Sequence, residues 1–231
     1  MTIPAILVSI SGEPKSGKTH LALTFPKPLS IISLDLGAKA LLANPFFKGQ
    51  DITLREMPMP LFDSLDGVGL GFSNFWQEVK KQIYADIDGC KFQTIVIDTA
   101  TALWEVIRYG FNEEEGKSIG ASSKARNYGE PNARMYGIYT RAQVGGVNLV
   151  LTQYVKDKWE DDKNTGRRVL DGWNRTEGLV DINLLNKKEP NPKGKGSQFR
   201  TTIKDNRFDH TTEGTELLMT DYDELITIMG L

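Results

Sequence analysis

Gly12-Glu13-Pro14-Lys15-Ser16-Gly17-Lys18-Thr19 is the stretch that decides how the rest of the chain is read. It satisfies G-x-x-x-x-G-K-[ST] at every fixed position, a match that arises by accident in on the order of one in a hundred chains of this length. Its surroundings agree. Ala5 to Ile10 is a short apolar run suited to a buried parallel strand, and Lys18 to Phe25 reads as a helix stopped by Pro26 and Pro28. Glycines let the backbone aim its N–H groups at phosphate oxygens, and the helix N-terminus adds the positive end of its dipole. Lys18 then reaches the β- and γ-phosphates, and the Thr19 hydroxyl ligates Mg²⁺. The expected nucleotide-binding set is Gly12 to Thr19 together with His20.

Working outward, Leu29 to Leu34 and Ile52 to Met57 read as further strands. Asn74 to Ile87 spaces Phe75, Val79, Ile83 and Ile87 as one face of an amphipathic helix. Phe92 to Ile97 is a β-branched strand ending at Asp98, with a helix expected over Thr99 to Tyr109. Gly110 to Glu130 is glycine- and charge-rich and expected to be mobile, ahead of a helix over Ala133 to Val144 and a strand over Val147 to Leu151. A polar stretch, Tyr154 to Arg175, leads to strands at Val180 to Leu185 and Phe199 to Ile203, and Asp221 caps a terminal helix. Strands alternating with helices predict an α/β fold with a mainly parallel sheet flanked by helices, closed by a C-terminal antiparallel strand pair. With no repeat and no linker, residues 1–231 read as one domain.

Composition narrows the setting. The 231 residues are 39% hydrophobic and 25% charged, ordinary for a globular chain, and the net charge of −2 provides no global field toward nucleic acid or membrane. A single cysteine, Cys90, excludes intramolecular disulfides, and with two histidines (His20 and His210) a zinc site is not expected. No apolar run is long enough to cross a bilayer, and no secretion signal opens the chain, so the expected location is the cytoplasm.

A P-loop needs an acid on a neighbouring strand to hold the Mg²⁺ shell, and Ile95-Val96-Ile97-Asp98 delivers one at the C-terminal edge where α/β sheets place ligands. Asp35 ends its own strand in the same fashion and could orient the attacking water, or serve only as a turn residue before Gly37. Gln153 follows the strand ending at Leu151, where an amide could hydrogen-bond the γ-phosphate.

In this order the segments GEPKSGKT, ISLDLG, IVIDTATALW, NLVLTQ and RTTIKDNRF resemble the RecA-like ATPases, specifically compact phage-encoded AAA-type or Sak-type single-strand-annealing proteins. The resemblance runs through nearly the whole chain. It implies ATP as the nucleotide, Asp35 in the position of the family's catalytic glutamate (one methylene shorter), and Gln153 as the switch glutamine. It also implies that Lys204 and Arg207 reach the ATP of a neighbouring copy, so that the site sits at a subunit interface. The Lys204-Asp205-Asn206-Arg207-Phe208 element differs from the K-N-R-F-G of RadA by one inserted residue and the lost glycine. Nothing ahead of the first strand matches the helix and strand through which RecA polymerises, so filament formation does not carry over.

The same resemblance places single-stranded DNA on two loops, Gly110 to Glu130 and Tyr154 to Arg175. The first carries Lys117, Lys124, Arg126 and Tyr128 against Glu113, Glu114 and Glu115; the second carries Lys156, Lys158, Trp159, Lys163, Arg167, Arg168, Trp173 and Arg175 against five acids. Basic residues interleaved with tryptophan fit a surface that tracks a strand and stacks its bases; solvated loops of mixed charge fit the same residues. Lys187 to Arg207, with seven basic residues and two acidic, is a further phosphate-contacting candidate. The implied partners are single-stranded DNA, further copies of the chain and a single-strand DNA-binding protein, in the host cytoplasm for a phage protein. A P-loop small-molecule kinase, with Arg167 and Arg168 as a lid, and a nucleotide-dependent regulatory protein without DNA binding are the alternatives.

Overall fold

The computed structural model describes residues 4–60, 71–118, 128–192 and 194–230. In chain order the elements are β1 (Leu7–Gly12), α1 (Lys18–Ala22), β2 (Leu29–Ser33), α2 (Ala38–Leu42), β3 (Ile52–Glu56), α3 (Phe72–Asp88), β4 (Thr94–Asp98) and α4 (Ala100–Glu114). There follow α5 (Gly129–Gly145), β5 (Asn148–Glu160), β6 (Lys163–Asp171), α6 (Thr176–Leu179), β7 (Ile182–Pro190), β8 (Ser197–Asn206), β9 (Glu216–Leu218) and α7 (Tyr222–Met229). The sheet runs β3-β2-β4-β5-β1-β7-β8-β9, parallel from β3 to β7 and antiparallel from β7 to β9. The expected parallel sheet and C-terminal antiparallel pair are therefore both present. The strand carrying Asp98 is not the immediate neighbour of β1, because β5 lies between them.

Alternation along the buried strands sorts the core into two layers. Leu7, Ile95, Ile97, Leu149 and Leu151 face α3, α4 and α5, while Val8, Ile10, Val96 and Val150 face α1, α2 and α7. In α3 the residues Phe72, Phe75, Trp76, Val79, Ile83 and Ile87 are buried at helical spacing, as the sequence pattern predicts. Asp86, on the same helix, is fixed by Ser30 (2.6 Å), Gln82 (2.9 Å) and a bidentate Arg55 (2.7 and 2.8 Å), which ties α3 to β2 and β3.

Two expected loops prove to be ordered structure over their described parts. Helix α4 continues to Glu114, and α5 starts at Gly129, so only the middle of Gly110 to Glu130 lies between elements. Glu113 accepts the free N–H groups of Gly71 (2.7 Å) and Ser73 (2.6 Å) and so caps α3, a contact of about 1 kcal/mol. Glu114 pairs with Arg134 of α5. Tyr154 to Arg175 is largely an antiparallel ribbon rather than a loop: β5 runs on past the core and pairs with β6 through Asp161 and Asp162, both at positive φ (49° and 58°). Such a two-residue turn matches the twist of a hairpin.

Candidate active site

The loop between β1 and α1 holds its shape through close backbone approaches. Gly12 has φ 155°, and a Cβ there would lie 2.3 Å from the Asn186 carbonyl oxygen of β7. Gly17 has φ 87°, and its Cβ would lie 2.7 to 2.9 Å from ring carbons of Phe199 on β8. Glycine is thus required at both motif positions by packing as well as by torsion. Ser16 is fully buried, and its Oγ has no hydrogen-bond partner among the described residues. Helix α1 has only five residues, so its dipole is smaller than a full-length helix would supply. The Lys18 Nζ donates to the carbonyls of Gly12 (3.1 Å) and Glu13 (2.8 Å) and lies 4.4 Å from the centre of the Tyr154 ring.

Asp98 faces this lysine from two strands away. Its carboxylate accepts from Thr19 Oγ1 (3.0 and 3.2 Å) and from the Thr152 hydroxyl, and it is 1% exposed. The peptide to Thr99 is cis, and Thr99 caps α4. Burial, reinforced by the nearby charge of Asp35, pushes the Asp98 carboxyl up to about 6 against the hydrogen bonds of Thr152 and Thr19 and the pull of Lys18. Burial also lowers the Lys18 ammonium to about 8, opposed by Asp98, Asp35 and Glu13. Two opposite charges brought together here both lose to desolvation. Asp35 itself is exposed, just past β2, and accepts from the Gly37 N–H (3.0 Å) and the Tyr154 hydroxyl (3.1 Å).

The other expected residues are spread over three places. Gln153 is buried on the face opposite to Asp98 and Thr152, where its Nε2 donates to Ser9 Oγ (3.0 Å). Lys204 and Arg207 lie at the opposite edge of the sheet from the P-loop: Asn206 is in register with Ile182 at the start of β7, while the loop end of β1 lies beside Asn186. Arg207 is held there by Asp181 (3.1 Å) and the Gly178 carbonyl (3.3 Å). Both residues therefore lie away from the P-loop of their own chain. His20 packs against Phe46 and Phe47, and burial lowers its pKa.

Among the expected DNA-binding residues, Lys156, Lys158 and Arg175 gather on one cavity between α4, α5 and the β5–β6 ribbon. Lys117 pairs with Glu115 (3.4 Å), and Arg167 is exposed on the ribbon. Lys124 and Arg126 lie outside the described residues. Trp173 is 1% exposed and belongs to the core, donating to Asn132 (2.7 Å), so it offers no surface for stacking; Trp159 is 62% exposed. In the basic Lys187 to Arg207 segment, Arg200 is bound by Glu189 and Glu216 (2.8 Å each), which locks β8 between its neighbours.

One residue of the site escaped sequence reading. Tyr154 bridges Lys18 and Asp35; the available signal was its place two residues after Thr152, on the same strand face. Arg168, expected to bind DNA or, in the kinase alternative, to serve in a lid, reaches back from β6 to Glu13 of the P-loop and to Asp157 (3.0 Å).

A glycine cradle, a buried lysine ammonium and a threonine–carboxylate pair at the C-terminal edge of a parallel sheet define a P-loop nucleotide-binding protein. Residues 5–180 match a family described as AAA domain, and the chain belongs to that family. No curated protein matches the sequence. The fold is similar to that in a crystal structure of the RadB recombinase, with 14% identity, a TM-score of 0.50 and coverage of 93% of this chain and 86% of the other. The architecture is accordingly RecA-like.

Proposed function

We propose that the chain is a Mg²⁺-dependent ATPase that binds single-stranded DNA in phage recombination, annealing or replication, in the manner of the Sak-type proteins it resembles. The observation carrying the ATPase reading is the opposed perturbation of Lys18 and Asp98. A triphosphate beside Lys18 supplies the negative charge that this buried ammonium lacks, and a divalent cation does the same for Asp98 in the opposite sense. The donor set is hard oxygen, the Thr19 hydroxyl and the Asp98 carboxylate, which suits Mg²⁺ held jointly with phosphates. The unpartnered Ser16 hydroxyl inside the loop is a further donor for a phosphate oxygen. When bound, the metal neutralises charge developing on the transferred phosphoryl group. Asp35 accepts the proton of the attacking water, with the Tyr154 hydroxyl holding its carboxylate in place. Lys204 or Arg207 of a neighbouring copy completes the site from outside, because neither can reach the P-loop of its own chain.

ATP turnover with and without single-stranded DNA, beside a measurement of particle size, tests the proposal. Turnover that rises with DNA and is lost in Lys18→Ala supports it; DNA-independent turnover across a range of salt overturns the DNA part. A small-molecule kinase is the second reading, favoured by Arg168 standing over Glu13 as a lid residue would. Phosphoryl transfer to a small acceptor in place of hydrolysis would establish it.

A further inference from the structure

At the C-terminal edge of the sheet, Asp98 lies between two strands that each present a hydroxyl. Thr152 of β5 is in register with it on one side and Ser33 of β2 on the other. Strand alternation puts all three side chains on the face of α1 and α2: Ser33 with Leu29 and Ile31, Asp98 with Val96, Thr152 with Val150. Thr19 of α1 supplies a third hydroxyl. Thr19 and Thr152 both donate to the Asp98 carboxylate. Ser33 is 0% exposed, yet its Oγ has no hydrogen-bond partner among the described residues. The backbone around it is fully engaged: the Ser33 carbonyl accepts from the Met57 N–H (3.0 Å), and the Leu34 N–H donates to the Asp98 carbonyl (2.7 Å). A buried hydroxyl left unbonded costs its full desolvation, and alanine would occupy the same place without that cost. Packing alone therefore gives no reason for a hydroxyl here.

We infer that Ser33 is a positioning residue of the divalent-cation site, its hydroxyl holding a water of the cation's shell beside the Asp98 carboxylate. This rests on the proposed Mg²⁺-dependent reading of the P-loop. Mg²⁺ bound through one carboxylate and phosphates keeps several waters, and each retained water brings two protons that need acceptors. A serine oxygen accepts one such proton and donates its own, which no alkyl side chain does. Strand order points to the cation rather than to phosphate. Ser33 is separated from β1 by β4 and β5, which at ordinary strand spacing is about 14 Å, whereas Asp98 is on the adjacent strand. The residue is also tied to both carboxylates of the site, in register with Asp98 and two positions before Asp35. Groups that orient a metal's ligands and waters carry about 10–100-fold in metal affinity.

The test is a titration of Mn²⁺, standing in for Mg²⁺, into wild type, Ser33→Ala and Ser33→Thr saturated with ADP. Free Mn²⁺ is read by electron paramagnetic resonance. The expected result is about tenfold weaker Mn²⁺ binding in Ser33→Ala, with Ser33→Thr, which keeps the hydroxyl, within about threefold of wild type. In chelator, Ser33→Ala should melt no lower than wild type, since it removes an unbonded buried hydroxyl, and should bind labelled ADP equally well. Unchanged Mn²⁺ affinity in Ser33→Ala overturns the inference and leaves the ATPase reading standing. A lower melting point of Ser33→Ala in chelator also overturns it, because the hydroxyl then serves the fold. Equal losses in the alanine and threonine variants overturn it as well, because side-chain volume and not the hydroxyl is then what matters. Wild type that binds ADP but takes up no Mn²⁺ beyond that held by ADP alone overturns the cation reading and the inference together. Wild type that binds no ADP overturns the nucleotide reading itself.

Discussion

Replacing Asp98 by asparagine separates the cost of its charge from the value of that charge to a ligand. The carboxyl is 1% exposed, and its pKa is raised from an ordinary 3.8 to about 6. About two units correspond to roughly 3 kcal/mol of disfavoured ionisation at pH 8. Because the folded pKa lies above the unfolded one, the fold binds the proton more tightly. The stabilisation this provides is fully present below about pH 4 and is lost as pH rises through 6. Asparagine has no charge to bury, and its Oδ1 can still accept from Thr19 or Thr152. In a chelator at pH 8, Asp98→Asn is expected to gain about 1–3 kcal/mol, the lower end allowing for imperfect amide geometry. For a chain of this size that is about 3–10 °C in thermal midpoint. The gain should shrink between pH 6 and pH 4, and Mg²⁺-dependent ATP turnover should be lost in the same variant. Differential scanning fluorimetry across pH, beside an ATPase assay, reads both. A variant no more stable than wild type at pH 8 would refute the reasoning, as would a gain independent of pH.

Tyr154→Phe keeps the ring over Lys18 and loses only the hydroxyl to Asp35, so ATP affinity should hold while turnover falls; Tyr154→Ala should in addition weaken ATP binding several-fold, since a cation–π contact contributes about 0.5–2 kcal/mol. Gly17→Ala should abolish nucleotide binding through its clash with Phe199, and a second change, Phe199→Ala, should restore less than wild-type affinity because φ 87° still strains alanine; full restoration by calorimetry would show that the torsion does not matter. Arg55→Ala leaves Asp86 buried with only Ser30 and Gln82 as partners and should lower stability by about 2–4 kcal/mol in urea denaturation, with nucleotide affinity unchanged because the pair lies away from the P-loop.

Local chemistry made much of this protein legible in its sequence. A phosphate cradle needs two glycines, a lysine and a threonine at fixed spacing within eight residues, so Gly12 to Thr19 could be read without any fold. Asp98 was visible because an apolar β-branched run ending in an acid is itself a short-range pattern. The ribbon was not visible: with both of its faces largely solvated, β5 beyond Val155 and β6 show no apolar alternation, and Tyr154 to Arg175 looks like any polar loop. The same blindness hid Glu113 as the cap of α3, since its partners lie some forty residues upstream.

What the sequence determined by itself, then, is a P-loop motif at Gly12 to Thr19 and a strand-ending acid at Asp98 within an α/β chain. Only the tertiary structure decided which residues meet around them. Strand order set β5 between β1 and β4, so that Thr152 joins the P-loop's Thr19 in bonding Asp98 and Tyr154 lies over Lys18. The ribbon's fold-back brought Arg168 to Glu13, and the antiparallel turn of β8 carried Arg207 to the far edge of the sheet. Such contacts depend on sheet register and crossover topology, which long-range packing selects and no short window of sequence contains.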